Sequence, residues 1–273
     1  MLKSPAHTAA PGARALYLGA RDRKHVSCTN EALVVRNERQ QTLRYPLARV
    51  SRVVSSTVTD WSGEALALCM KSGIGITWLD ARGTALGTCY PLRRCHPPFA
   101  TAVELLPESP AGMARYHNWL RARRMGVLVH WGKTRAEQIS PALWEATKRD
   151  WVYGRRITVH LPAALQGHCL AWVGAQLAEQ GLHPELWGPE AQPVALDHDL
   201  CELLWADMNL CAGSLADAAQ ADEPATTLFE RWNASNGSAL MLHITSLYRT
   251  AMKALNLETA ADRFSPLDKP HAI

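Results

Sequence analysis

Short runs of alternating apolar and polar residues, many of them β-branched, fill the first third of the chain. Charged or turn-forming residues separate these runs at near-regular spacing. The pattern predicts short strands that pair in an antiparallel sheet. We expect these strands at residues 15–18, 25–28, 32–35, 42–45 and 50–54.

One helix interrupts the predicted strands. Ser62 is its expected N-cap, Glu64 lies in its first turn, and the apolar run that follows ends near Gly73. After the helix, the apolar run at 74–79 predicts a buried strand. Residues 80–83 then predict a turn that leads into a last strand at 86–90.

The period of the apolar positions becomes helical after a proline-rich segment at 91–110. One helix is expected from about Pro162 to Gly181, with a stripe that faces a core. The stripe consists of Leu165, Cys169, Trp172, Val173 and Leu177. Further helices are predicted at 200–208, 226–232 and 239–257, and a loop at 212–225.

The predicted fold class is α+β, with an antiparallel β-domain that contains one helix, followed by a mostly α-helical domain. We assign residues 1–92 to the β-domain, 93–110 to a proline-rich linker and 111–273 to the helical domain.

Composition excludes several classes of protein. With 273 residues and 47% apolar content, the chain can bury a substantial core and is globular. No segment has the roughly 20 apolar residues that span a bilayer, and the N-terminus lacks a secretory signal, so we expect a cytoplasmic protein without a membrane role. The seven cysteines are scattered, which favours reduced thiols. Cys89, Cys95 and His96 lack a second pair of zinc ligands.

Charge is concentrated between residues 115 and 156, where ten Lys or Arg face three acids. Such an excess is typical of a surface that attracts a polyanion. The residues expected to contact DNA are Arg121, Arg123, Arg124, Lys133, Arg135, Lys148, Arg149, Arg155 and Arg156. Four tryptophans alternate with these basic residues and suit base stacking, although we expect at least half of them to be buried in a core. They are Trp119, Trp131, Trp144 and Trp151.

Two carboxylates three residues apart, Asp199 and Glu202, share one face of a predicted helix. Both could reach one hard cation, although acids in a first helical turn are also favoured by the helix dipole. Glu137 lies between Arg135 and the aromatic Trp144, and its sequence context alone favours a solvated acid at a helix start.

Several phrases of the sequence resemble the CRISPR-associated integrase-endonucleases of spacer acquisition. In the N-terminal part they are YPLARVSRVV at 45–54, SGEALALCMKSG at 62–73 and IGITWLDARG at 74–83. In the helical part they are GLHP at 181–184 and PVALDHDLCE at 193–202. The resemblance implies that Asp199 and Glu202 occupy the family's paired acidic positions. It also implies that Glu137, with Trp144 seven residues later, is the upstream metal-binding glutamate, with Glu145 as the alternative.

The chain departs from the family pattern at one metal ligand. The family has a histidine a few residues after the Gly-x-x-Pro turn, where this chain has Glu190 or Pro189. His183 and His198 are nearby but out of register. Either Glu190 is a substitute oxygen ligand, which favours Mg²⁺ or Mn²⁺, or the site is degenerate.

The resemblance implies a metal-dependent DNA endonuclease and integrase that joins short 3′-hydroxyl ends into a target duplex. Glu137 and Glu202 would be catalytic, and Glu137, Glu190, Asp199 and Glu202 would hold Mg²⁺ or Mn²⁺. It further implies a homodimer formed through the β-domain and a small ferredoxin-like partner subunit. Two alternatives remain, a DNA-binding structural subunit without catalysis, and a two-domain protein whose arginines only solvate a helical surface.

Overall fold

Two four-stranded sheets build the N-terminal half of the computed structural model, which describes residues 13–91, 98–108, 110–135, 139–182, 194–211 and 223–254. The strand orders are β1-β5-β7-β8 and β4-β3-β2-β6. The strands are β1 (Arg14–Leu18), β2 (Lys24–Cys28), β3 (Ala32–Asn37), β4 (Thr42–Pro46), β5 (Val50–Ser56), β6 (Thr59–Trp61), β7 (Gly75–Leu79) and β8 (Ala85–Cys89).

Both sheets are mixed, so the prediction of purely antiparallel pairing was wrong. β5 pairs in parallel with β1 and with β7, and β2 pairs in parallel with β6. Parallel neighbours need a long crossover connection. Strands β2 to β4 form the connection from β1 to β5, and β6 with the helix that follows it forms the connection from β5 to β7. Alternation along a strand reports which face is buried but not the direction of its neighbour. The sequence also gave no signal for the three-residue strand β6.

Helix α1 (Gly63–Lys71) begins as predicted, because the Ser62 hydroxyl accepts a hydrogen bond from the backbone N–H of Ala65 at 3.2 Å. The chain leaves the helix through Gly73, whose φ is +75°. Ala65 and Cys69 of this helix are buried in the core of the β-domain.

The proline-rich segment is partly helical. Helix α2 (Pro98–Glu104) and helix α3 (Pro110–Thr134) both begin at a proline, with a 3₁₀ turn (Leu106–Glu108) between them. Proline has no backbone N–H, but the first residue of a helix needs none, so proline starts helices here rather than preventing them.

The C-terminal half is helical, as predicted, and surrounds one large apolar core. Its remaining elements are α4 (Pro141–Thr147), a π-helical turn (Lys148–Tyr153), α5 (Ala163–Glu179), α6 (Leu196–Cys211), α7 (Ala225–Asn236) and α8 (Ser238–Ala254). The predicted stripe on α5 is buried throughout. Trp119, Trp131 and Trp151 are buried too, and half-buried Trp144 stacks on Trp131, so the expectation for the tryptophans is confirmed.

Helix α5 packs closely on the first sheet through two glycines. A Cβ at Gly167 would lie 1.8 Å from the carbonyl oxygen of Gly83, and one at Gly174 would lie 2.0 Å from the hydroxyl of Tyr90. Only glycine permits this approach of helix to sheet. Helix α5 in turn packs on the helix Leu196–Cys211, which carries the acidic pair described below.

No helix in the described part of the chain has the length and apolar character required to cross a bilayer.

Candidate functional site

The first turns of α6 carry the predicted acidic pair. Asp199 and Glu202 lie on one face, and the Asp199 side chain is only 7% exposed while that of Glu202 is 33% exposed. Tyr116 of α3 donates a hydrogen bond from its hydroxyl to Asp199 Oδ2 at 2.6 Å. This bond holds the buried carboxylate in a fixed orientation against α3. Burial and the negative charge of Asp199 raise the pKa of Tyr116 well above its ordinary value, so Tyr116 stays a donor.

One guanidinium joins the two carboxylates. Arg155 Nη2 lies 2.6 Å from Asp199 Oδ1 and 2.8 Å from Glu202 Oε2, and Nε lies 3.2 Å from the same Glu202 oxygen. Although partial burial opposes the charge, the hydrogen bonds and attraction of the two acids raise the pKa of Arg155. The acids are thus brought together on one cationic group, as their spacing predicted, but that group belongs to the protein.

The backbone before Arg155 explains how its side chain reaches α6. The π-helical turn at Lys148–Tyr153 ends at Gly154, and Arg155 then takes a left-handed φ of +57°. This conformation costs a non-glycine residue about 1–2 kcal/mol. The bonds from Arg155 to Asp199 and Glu202 offset that cost.

Arg124 lies inside the protein and not on its surface. Its guanidinium is 5.6 Å from the Trp151 ring, and its Nη2 lies 3.6 Å from Glu202 Oε2. Its Nε and Nη2 are buried and without a hydrogen-bond partner among the described residues. Burial lowers the pKa of Arg124, and repulsion from Arg155 lowers it further by a smaller amount. The assignment of Arg124 to the DNA-contacting surface therefore needs correction, because its side chain packs beneath the acidic pair.

The other predicted basic residues differ in exposure. Exposed side chains belong to Arg121, Lys133, Arg149 and Arg156. Arg123, Arg135 and Lys148 are half-buried. Arg149 pairs with Asp150 at 3.0 Å, and Lys148 pairs with Glu145 at 3.3 Å. Among the predicted DNA-contacting residues, the exposed ones are therefore these four and Arg155, whose side chain is 47% exposed.

Glu137 and Glu190 lie outside the described residues. The alternative upstream acid, Glu145, is exposed. His198 is exposed next to the acidic pair, and its backbone N–H donates to Asp197 at 2.8 Å. Burial raises the pKa of Asp197. Sequence reasoning missed the role of Tyr116, since a single tyrosine 83 residues from its partner gives no signal of that contact.

The donor chemistry of the acidic pair suits a hard divalent cation, because Asp199 and Glu202 offer only carboxylate oxygens. In the described part of the chain these two acids do not belong to any group of three ligands. Arg155 already uses one oxygen of each acid. A cation that used Asp199 Oδ1 and Glu202 Oε2 would therefore compete with Arg155 for them.

Comparisons with known proteins show what the chain resembles in sequence and fold. Residues 17–99 match the family model described as CRISPR associated protein Cas1. No curated protein matches the sequence. A CAS1 protein from Thermotoga maritima has a similar structure, with a TM-score of 0.66, 14% identity, and coverage of 89% of this chain and 97% of that one.

Two further structures are similar over nearly the full chain. A casposase bound to integration product gives a TM-score of 0.59 at 12% identity, covering 95% of this chain and 94% of the other. A TtCas1–DNA complex gives 0.53 at 15% identity, covering 95% of each. Residues 17–99 thus match the Cas1 family model, and the chain as a whole shares the fold of these Cas1 and casposase structures.

Proposed function

We propose that this chain acts on DNA as a Cas1-type endonuclease and integrase, with Asp199 and Glu202 at the reacting phosphate. The observation that carries the proposal is the convergence of both carboxylates on one cationic group in a protein of this fold. Asp199 and Glu202, with Glu137 and Glu190, would hold Mg²⁺ or Mn²⁺. When bound, that cation would activate an attacking 3′-hydroxyl or water and stabilise the departing oxygen.

Arg155 has a defined part in this proposal. In the absence of DNA it supplies the positive charge that the two acids need. A guanidinium binds phosphate with two parallel hydrogen bonds as well as it binds a carboxylate. Because the side chain of Arg155 is 47% exposed, it would transfer to the DNA backbone and free Asp199 and Glu202 for the cation.

Tyr116 and Arg124 would position the two acids both before and after DNA binds. Tyr116 fixes Asp199 Oδ2, and Arg124 holds a buried positive charge 3.6 Å from Glu202. The exposed residues Arg121, Lys133 and Arg156 would hold the DNA backbone without reading its sequence.

A second candidate function is a DNA-binding structural subunit without catalysis. One observation favours it, since Arg155 bridges both carboxylates where a catalytic cation would lie. The lack of a histidine in register with the family's metal ligand points the same way. In this case Arg155 would stay in place when DNA binds.

The proposed partners are DNA, a second copy of the chain bound through the β-domain, and a small ferredoxin-like subunit. Support comes from related structures, one of which is a TtCas1–DNA complex. Another, a Cas6-RT-Cas1–Cas2 complex, matches with a TM-score of 0.53 at 13% identity, and the match covers 96% of this chain and 36% of that one. Light scattering of the purified protein tests the dimer, for which we expect twice the mass of 30.1 kDa.

A strand-transfer and nicking assay tests the catalytic proposal. A short duplex with free 3′-hydroxyl ends and a supercoiled plasmid would be incubated with the protein in Mn²⁺ and in EDTA. We expect joined and nicked products only with metal, reduced on the order of 100-fold or more by Glu202→Gln, Asp199→Asn and Glu137→Gln. Asp60→Asn is the matched control, since Asp60 is an exposed acid of the β-domain paired with Arg23.

The two candidate functions give different results in this assay. No product from the wild type, with duplex binding intact, would contradict catalysis and favour the structural subunit. Product that persists unchanged in Glu202→Gln and Asp199→Asn would place the chemistry elsewhere in the chain.

A further inference from the structure

A second polar cluster lies farther along α3 and α6, away from the acidic pair. His130 Nδ1 is 2.7 Å from Asp207 Oδ1 and 3.5 Å from Cys211 Sγ. One potential ligand atom from each of the three residues lies within 4.8 Å of the others. The cluster thus joins three different donor types, an imidazole nitrogen, a carboxylate oxygen and a sulfur.

The helices explain why these residues meet. Asp207 and Cys211 are four residues apart on α6 and therefore share a face. His130 comes from the last turns of α3, which packs along α6. Asp207 is 13% exposed, Cys211 is half-buried and His130 is half exposed, so the cluster is reachable from solvent.

The donor set differs in chemistry from the all-oxygen acidic pair. Nitrogen, oxygen and sulfur donors in combination favour Zn²⁺, which is borderline soft, over Mg²⁺ or Ca²⁺. At zinc bond lengths, tetrahedral donor atoms lie about 3.3–3.7 Å apart. The separation of 3.5 Å between Cys211 and His130 already fits, and the 2.7 Å separation between His130 and Asp207 needs only to widen.

A cavity of about 200 Å³ adjoins the cluster, and His130 and Asp207 are part of its wall. His243 and Arg123 line the same cavity, and His243 Nδ1 and Arg123 Nε are buried without a hydrogen-bond partner among the described residues. The cavity gives room beside the three ligands for a water molecule in the fourth position of a tetrahedral site.

We propose that His130, Asp207 and Cys211 bind one Zn²⁺ ion that cross-links α3 to α6. The same two helices carry Tyr116, Arg124, Asp199 and Glu202, so the ion fixes the spacing of the elements that build the acidic site. Zinc binding at this cluster does not depend on catalysis at Asp199 and Glu202.

Metal binding of the purified full chain tests the proposal. The apo protein would be loaded with Zn²⁺, passed through gel filtration and measured by elemental analysis, and loaded in parallel with Co²⁺ for absorption spectroscopy. We expect one Zn²⁺ per chain and a thiolate-to-cobalt charge-transfer band. Cys211→Ser should abolish the band, and His130→Ala should weaken zinc binding on the order of 100-fold.

Cys89→Ser is the matched control, because Cys89 is an exposed free thiol outside the cluster, and it should keep both the zinc and the band. His130→Ala changes an exposed side chain, so its fold should survive, which circular dichroism would verify. A wild-type protein that retains no zinc would overturn the proposal. So would a Cys211→Ser variant that keeps the cobalt band.

Discussion

Asp199 shows how a single buried acid is made tolerable. A carboxylate side chain that is 7% exposed loses most of its hydration, and this loss costs several kcal/mol unless charged or hydrogen-bonded partners replace the water. Tyr116 contacts one carboxylate oxygen and Arg155 contacts the other, each at 2.6 Å. Removing either partner should leave part of the buried charge uncompensated.

Tyr116→Phe should therefore destabilise the protein by about 1.5–3 kcal/mol, the usual contribution of a hydrogen bond to a charged group. The phenyl ring keeps the apolar packing, so the loss isolates the hydroxyl. Tyr153→Phe is the matched control, since Tyr153 is exposed, and it should change the free energy of unfolding little. Urea denaturation measures the stability of both variants. A midpoint for Tyr116→Phe equal to that of the wild type would contradict the hydrogen bond between Tyr116 and Asp199.

His168 of α5 gives stability a dependence on pH. It lies between Tyr17 at 5.3 Å and Phe229 at 6.2 Å, and burial, followed by repulsion from Arg52, lowers its pKa from 6.5 to about 4. Between these values the unfolded chain binds more protons than the folded chain. Above about pH 6.5 His168 is neutral in both states and does not change the free energy of unfolding. As the pH drops to 4, protonation of the unfolded chain lowers that free energy by up to about 3 kcal/mol.

Unfolding free energies at a series of pH values test this expectation. His168→Gln should flatten the acid side of the profile, and His25→Gln, at an exposed position of β2, is the matched control. Some slope should remain, because burial also lowers the pKa of His243 to about 4. Parallel profiles for His168→Gln and the wild type would show that His168 does not titrate as described.

The sequence predicted part of the acidic site and not the rest, for a reason visible in individual residues. The spacing of Asp199 and Glu202 placed them on one face, because helical periodicity is local. Their partners Tyr116 and Arg155 lie 83 and 44 residues from Asp199 along the chain, and no local pattern reports such contacts. The sequence predicts Arg155 as a surface cation, and its side chain is indeed 47% exposed, but the left-handed backbone that lets it bridge both acids has no sequence signature here.

At the level of elements, the packing of α5 on the first sheet depends on glycine. The stripe of apolar residues predicted the helix and its buried face, but it did not reveal that Gly167 contacts the turn at Gly83. The parallel strand pairs were missed for a related reason, since strand direction depends on crossovers that fold back over many residues.

Gly167→Ala should destabilise the protein by about 1–3 kcal/mol, because its Cβ would lie 1.8 Å from the Gly83 carbonyl oxygen and force the helix from the sheet. Gly126→Ala, in the middle of α3, is the matched control, since nothing lies within 4 Å of its added Cβ. That variant should gain about 1 kcal/mol from helix propensity. Thermal unfolding of both variants checks the prediction, and a stabilised Gly167→Ala would contradict the close packing.

At the scale of the whole molecule, function is tied to where the charge lies. The net charge of +4 is modest, but exposed Arg121, Lys133, Arg149 and Arg156 all belong to the segment 115–156 of the helical half. A polyanion would be attracted to the basic segment at 115–156, where ten Lys or Arg accompany three acids. The resulting affinity would depend on salt, because each phosphate that is neutralised releases condensed counterions.

Removing one of these charges should change the slope of log K for DNA binding against log salt by a predictable amount. Arg156→Gln should weaken duplex binding similarly for different sequences and reduce the slope of log K against log salt by about 1. Arg36→Gln removes an equally exposed charge from β3 of the β-domain and should leave the slope unchanged. Fluorescence anisotropy at several salt concentrations measures both slopes. Equal slopes for the two variants would mean that Arg156 does not contact phosphate, and a flat wild-type profile would remove the electrostatic basis of the proposed DNA surface.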